Sequence, residues 1–118
     1  MKFALFLFGL VFSLSACSQK SAAPAATTLQ KTDTFIVSGN CGMCKKTIET
    51  SATSVKGVSK AVWDINSHQL TVTYDPVKAS VDQIQQKIAA AGYDNAGHRG
   101  NDAAYAKLPA CCHYERKN

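Results

Sequence analysis

Two helical stripes flanking a strand hairpin, all inside about 65 residues, constrain the fold of this chain more than any other feature. Ile48, Ala52 and Val55 recur at i, i+4, i+7, with Lys45, Lys46 and Glu49 on the other faces. Gly57 is the expected stop signal. Ala61, Trp63 and Ile65 then alternate with Val62 and Asp64, and Leu70, Val72 and Tyr74 alternate with Thr71 and Thr73. Asn66-Ser67-His68 reads as the turn between these two strands. Asp75-Pro76 breaks the second strand, and Ser80 with Gln83 forms a capping box before the stripe Val81, Ile84, Ile88, Ala91, which ends at Gly92. Phe35-Ile36-Val37 supplies a strand before the first helix, and Tyr93 to His98 is the expected closing strand. The order is β-α-β-β-α-β. Neither helix can bury its stripe alone, so both must pack on one face of a four-stranded antiparallel sheet. The expected class is α+β, a ferredoxin-like split βαβ over residues 34–98 with a short C-terminal extension at 99–118.

The chain ahead of this domain has a different character. Met1-Lys2 is followed by a nearly unbroken apolar run from Phe3 to Leu14, too short for a membrane span and suited to the core of a signal peptide. Leu14-Ser15-Ala16-Cys17 closely resembles a bacterial lipobox, which implies removal of residues 1–16 and acylation of Cys17. Several acyl chains, at ~0.8 kcal/mol per buried methylene, make a lasting anchor in membrane lipid. Ser18 is not the aspartate that commonly retains lipoproteins at the inner membrane, which favours the periplasmic side of the outer membrane. Residues 17–33 are rich in Ala, Ser, Thr and Gln with no apolar period, and read as a flexible tether. Loss of residues 1–16 removes one lysine and lowers the formal charge from +5 to +4. The lysines are scattered without aromatic interleaving, which argues against nucleic acid as a partner.

With Cys17 assigned to lipid, four thiols are left in two tight local pairs, unlike the dispersed pattern of a disulfide-stapled domain. Cys41-Gly42-Met43-Cys44 falls at a strand-to-helix junction, where unpaired amides and the helix dipole favour thiolate. Lys45 and Lys46 are expected to add to that effect. Thiolates select soft ions such as Cu(I), Zn(II), Cd(II) and Hg(II). Two alone suit near-linear Cu(I) or Hg(II), whereas Zn(II) wants four ligands.

In this setting the chain resembles the heavy-metal-associated domain family, which includes small copper chaperones, amino-terminal domains of copper-transporting ATPases and periplasmic mercury-binding proteins. The resemblance rests on Cys41-Gly42-Met43-Cys44 after the first strand, Gly57-Val58 before the second, Tyr74-Asp75-Pro76 after the third, and Ala91-Gly92-Tyr93 after the second helix. It implies Cys41 and Cys44 as metal ligands, with Tyr93 in a neighbouring loop close to the metal. A tyrosine there resembles the copper chaperones; a plain packing role for Tyr93 is the alternative. The family usually has Gly-Met-Thr-Cys or a close variant, whose methionine packs beneath the loop. This sequence has Gly39-Asn40-Cys41, one residue shorter and without that methionine, and Met43 lies between the ligands.

The extension adds Cys111-Cys112-His113 after an Ala-rich stretch, Asp102 to Leu108, that predicts a short helix ending before Pro109. If the last strand runs ~17 Å away from the loop, a seven-residue helix and an extended segment can return ~10 Å and ~20 Å. Cys111, Cys112 and His113 are therefore candidates for completing the Cys41–Cys44 site. In an extended tail, Cys111 and His113 would face one side and Cys112 the other. A separate tail site, a disulfide to the loop, and a structural tail are the alternatives. His68, in the hairpin turn, and His98, at the end of the last strand, read as surface residues.

These residues favour a non-enzymatic protein that binds and transfers, or buffers, a soft metal, with Cu(I) first. The expected partner is a metal transporter or another metal-binding protein. Scavenging of Hg(II), Cd(II) or Zn(II) is the alternative. A thiol-disulfide oxidoreductase also places Cys-x-x-Cys at a helix start. Against it, neither the element order nor Pro24, Pro76 or Pro109 suits a thioredoxin-like fold.

Overall fold

The computed structural model describes residues 29–116. The signal peptide, the lipobox with Cys17, and the tether as far as residue 28 lie outside the described residues. Among the described residues, no helix is long and apolar enough to cross a membrane.

Strand β1 (Lys31–Ile36) leads into helix α1 (Gly42–Thr53), then β2 (Val58–Trp63), β3 (Gln69–Tyr74) and helix α2 (Val81–Ala90). The three strands are antiparallel in the order β1-β3-β2, so α1 carries the chain from one sheet edge to the other. One sheet face buries Phe35, Ala61, Trp63, Leu70, Val72 and Tyr74. Against it lie Cys44, Ile48 and Ala52 of α1 with Ile84 and Ile88 of α2, as the stripes require. Fully burying Ile48 or Ile88 contributes ~1.5–3 kcal/mol each.

Local chemistry sets the boundaries. β1 starts at Lys31, inside the segment expected to be tether, because Thr32 and Thr34 pair with Thr73 and Thr71 through hydroxyl contacts of 3.2 and 3.1 Å. The first helix ends at Thr53, before Gly57, with Ser54 as its cap. Gly57 instead turns the chain at φ +102°, where a β-carbon would come within 2.7 Å of Lys78 Cβ. The hairpin turn is closed by Asp64, whose Oδ1 accepts from the Asn66 and Ser67 amides at 2.8 and 2.7 Å. β2 ends at Trp63, which leaves Ile65 exposed. The Ser80–Gln83 capping box is present.

The fold is ferredoxin-like, but its fourth strand is reduced to one bridge, Val37 to Asn95. Ser38 donates to the Asp94 carbonyl and Ala96 to the Ile36 carbonyl on either side of it. Asn95 then ends the pairing: its Oδ1 accepts from the Gly97 and His98 amides, which folds the chain into a turn where further strand was expected.

The extension begins with helix α3 (Asp102–Ala106), capped by Asn101 Oδ1 on the Ala104 amide. It packs so closely on Gly92 that a β-carbon there would lie 2.7 Å from the Tyr105 amide. Ala110–Cys112 then form a single 3-10 turn. Two poles result. The described chain enters β1 at Lys31 beside Val58 and Tyr74, and the Cys41 loop lies past the far end of that six-residue strand, ~20 Å away.

Candidate metal centre

Cys41 occupies the N-cap of α1 in extended conformation, and Cys44 lies in the first turn. Their sulfurs are 3.5 Å apart. Cys44 is fully buried and Cys41 half-buried. The Cys41 sulfur faces the free amides of the first turn without closing a capping bond of standard geometry. Those amides, that of Cys44 above all, together with the Cys111 thiol, pull the Cys41 thiol down to about 6. Cys41 is therefore largely thiolate at neutral pH. The indole of Trp63 lies beneath the loop, donating to the Val37 carbonyl at 3.0 Å. Gly39 gives it room: a β-carbon would sit 3.1 Å from the ring and 3.2 Å from Cys44 Cβ.

The tail returns to this loop. Cys41 Sγ lies 3.4 Å from Cys111 Sγ and 3.7 Å from Cys112 Sγ, and the two tail sulfurs are 3.9 Å apart. Cys41, Cys111 and Cys112 form the one group of three or more metal-ligating side chains drawn together among the described residues. All four described cysteines are free thiols. Burial, followed by the neighbouring Cys44 and Cys41 sulfurs, pushes the Cys112 thiol far above its ordinary value. The Cys41 sulfur raises Cys111 as well, with burial second. The Cys41 sulfur, favoured as thiolate, thus faces two tail thiols whose surroundings favour the protonated form.

The expected extended tail is not what forms. The 3-10 turn lets adjacent cysteines converge, where a strand would have sent them to opposite sides. A clasp further along holds it. Tyr114, buried, donates its hydroxyl to the Gly92 carbonyl at 2.8 Å and accepts from the Asp94 amide at 2.8 Å. Tyr105 donates to the Tyr114 carbonyl. Arg116 grips both Asp94 oxygens at 2.7 and 3.2 Å, reaches the Gly100 carbonyl and Asp102, and stacks over the Tyr105 ring. Burial works against the Asp94 carboxylate, but Arg116 and the Gly100 amide outweigh it and hold the group below the usual carboxylate range.

Other expected site residues fall elsewhere. His113 stacks on Tyr105 at 5.0 Å and is not drawn into the sulfur group. Lys45 bonds Glu49 and the Trp63 carbonyl, so it braces the helix against β2, and it is not among the causes of the Cys41 shift. Tyr93 is fully buried beside Cys112 and Cys44. Its hydroxyl makes no hydrogen bond of acceptable geometry, and burial raises the phenol far above its usual range. His68 stacks on Trp63, and His98 pairs with Asp82. Met43, between the two loop cysteines, brings its thioether within 3.6 Å of Cys111 Sγ. Arg116 and Tyr114 had no local signal, because their partners lie 14–22 residues earlier in the chain.

A model of the heavy-metal-associated domain matches residues 34–94. A zinc-transporting ATPase of Synechocystis sp. is 45% identical over 64 residues, which is 53% of this chain and 9% of that protein. The copper chaperone CopZ of Staphylococcus aureus is 34% identical over 55 residues, 47% of this chain and 81% of the chaperone. Oxidised MerP from Ralstonia metallidurans CH34 superposes with a TM-score of 0.55 at 33% identity, covering 58% of this chain and 96% of that one. The family match stops before Cys111 and Cys112.

Proposed function

The chain belongs to the heavy-metal-associated domain family, and on that premise we propose that it binds a soft heavy-metal ion, Cu(I) first, at Cys41 and Cys44 and passes it to the thiols of a partner. The observation that carries this reading is the thiol pair 3.5 Å apart at the start of α1, with Cys41 already ionised near neutrality. Thiolate is the form that binds metal, and soft sulfur selects Cu(I) over hard ions. Transfer needs only ligand exchange, one metal–sulfur bond forming as another breaks, so no enzymatic step is involved. The similarity to a copper chaperone and to a segment of a zinc-transporting ATPase supports a metal transporter or another metal-binding protein as the partner.

The lipobox-like Leu14-Ser15-Ala16-Cys17 supports an acylated Cys17 and attachment to the periplasmic side of the outer membrane. A second reading, scavenging of Hg(II), Cd(II) or Zn(II), draws on the further sulfurs gathered around Cys41. Anaerobic purification followed by mass spectrometry of bound metal separates the two. Copper at one equivalent, lost in a Cys41→Ser, Cys44→Ser variant, is the expected result. Insulin reduction at oxidoreductase-like rates, with no metal retained under reducing conditions, would overturn both readings.

A further inference from the structure

We propose that the C-terminal extension carries a second metal position, a three-sulfur site of Cys41, Cys111 and Cys112, which shares Cys41 with the Cys41–Cys44 pair. The ligand class is a soft d10 cation that accepts three thiolates, such as Cu(I), Hg(II) or Cd(II). This inference rests on the reading of Cys41 and Cys44 as a metal-binding pair.

Spacing is the first argument. With metal–sulfur bonds of about 2.3 Å, linear ligation sets two sulfurs ~4.6 Å apart, trigonal ligation ~4.0 Å and tetrahedral ligation ~3.8 Å. The three edges of the group are 3.4, 3.7 and 3.9 Å. A small outward movement of Cys111, which is exposed, opens its 3.4 Å edge to Cys41 toward the trigonal value, to which the other two edges already lie close. Even the Cys41–Cys44 separation of 3.5 Å is shorter than linear ligation requires.

The second argument is the support. More than the burial of Cys112 keeps the Cys111-Cys112 dipeptide at the loop. The Arg116, Tyr114 and Tyr105 contacts do so from outside, and none of them uses a sulfur atom. Cys112 is 1% exposed, so its side chain is seated rather than laid on the surface. The Met43 thioether closes the outer side against Cys111.

Sharing Cys41 gives the metal a route between the two positions. With the Cys41 bond kept, the Cys44 bond breaks as bonds to Cys111 and Cys112 form. The Cys44 sulfur leaves with the bonding electron pair as thiolate, the two tail thiols release their protons to solvent, and the metal keeps its oxidation state. The three-sulfur position then holds the ion, and the two-sulfur position is the one left when a partner draws the tail away.

The test loads the full reduced chain with one equivalent of Cu(I) and counts sulfur ligands by X-ray absorption, with affinity measured by competition against a Cu(I) chelator. Three sulfurs are expected in the native chain and two in Cys111→Ser, Cys112→Ser. Affinity is expected to fall at least the ~10–100-fold that loss of a ligand's support costs. Cys111→Ser alone, at an exposed position, carries the same expectation should the double variant misfold. His113→Ala is expected to leave the count at three. Two sulfurs in the native chain, or an unchanged count and affinity in the variants, overturns the tail site and leaves the Cys41–Cys44 reading intact. Full affinity in Cys41→Ser, Cys44→Ser would instead remove that reading itself.

Discussion

Arg116→Ala is the sharpest perturbation of this molecule, because it unfastens the tail without touching a sulfur. The guanidinium is 12% exposed and Asp94 19%, so the pair is substantially withdrawn from water. Charge-assisted hydrogen bonds in such a place contribute about 1.5–3 kcal/mol each, with strong non-additivity inside one network. The Asp102 end is 81% exposed and adds little. A loss of ~2–3 kcal/mol in tail docking follows, and at 1.4 kcal/mol per factor of ten the tail opens roughly 30–150 times more often. Cys112 reports this directly, since it is buried only while the tail is docked. In the reduced, metal-free chain, alkylation of Cys112 should accelerate by that factor. Arg116→Lys should not restore protection, because an ammonium cannot grip both Asp94 oxygens as a planar fork does. Cys112 protection within twofold of the native chain would refute the clasp.

Gly39→Ala should cost about 1–3 kcal/mol, since the new methyl meets the Trp63 ring and Cys44 Cβ, both buried; thermal unfolding with an unchanged midpoint would contradict this. Tyr93→Phe should be neutral or stabilising by up to ~1 kcal/mol, because it deletes a buried hydroxyl that has no partner; a clear loss in denaturant titration would mean that the hydroxyl bonds the Cys112 sulfur. The metal-free Cys41 thiol should be alkylated with a midpoint near pH 6. Its folded pKa is depressed, so the stabilisation it brings is complete above the ordinary thiol range, about 8.5, and fades as pH falls through about 6; a midpoint at the ordinary value would remove the helix-start argument.

Periodicity carried the sequence reading a long way. Ile48 and Ala52 on one side, Leu70, Val72 and Tyr74 on the other, and Ile84 and Ile88 beneath them are buried as their spacing demands. Such patterns are legible because burial of a repeating face is a local property of the chain. The closing strand was overestimated, because Asn95 competes for backbone amides with its own side chain, and strand propensity does not capture that. Lys45 was assigned to the thiols on proximity in sequence, yet a helical residue one position past Cys44 points to another face, where Glu49 and Trp63 receive it. The convergence of Cys111 and Cys112 on Cys41 was geometrically open but not determined. It depends on Asp94, Gly92 and Gly100, whose roles exist only once the chain has folded back on them.

The two poles of the domain have a consequence for traffic. A chain held by its N-terminus is held at the Lys31 end, and the sulfur group stands one strand length away, past Ile36. Were the N-terminus fixed to a surface, as proposed above, the thiols would stand at the end of the domain away from the attachment and open to a visitor from the opposite side. Under the proposed attachment, collisions with neighbours would then favour the end where cargo can change hands.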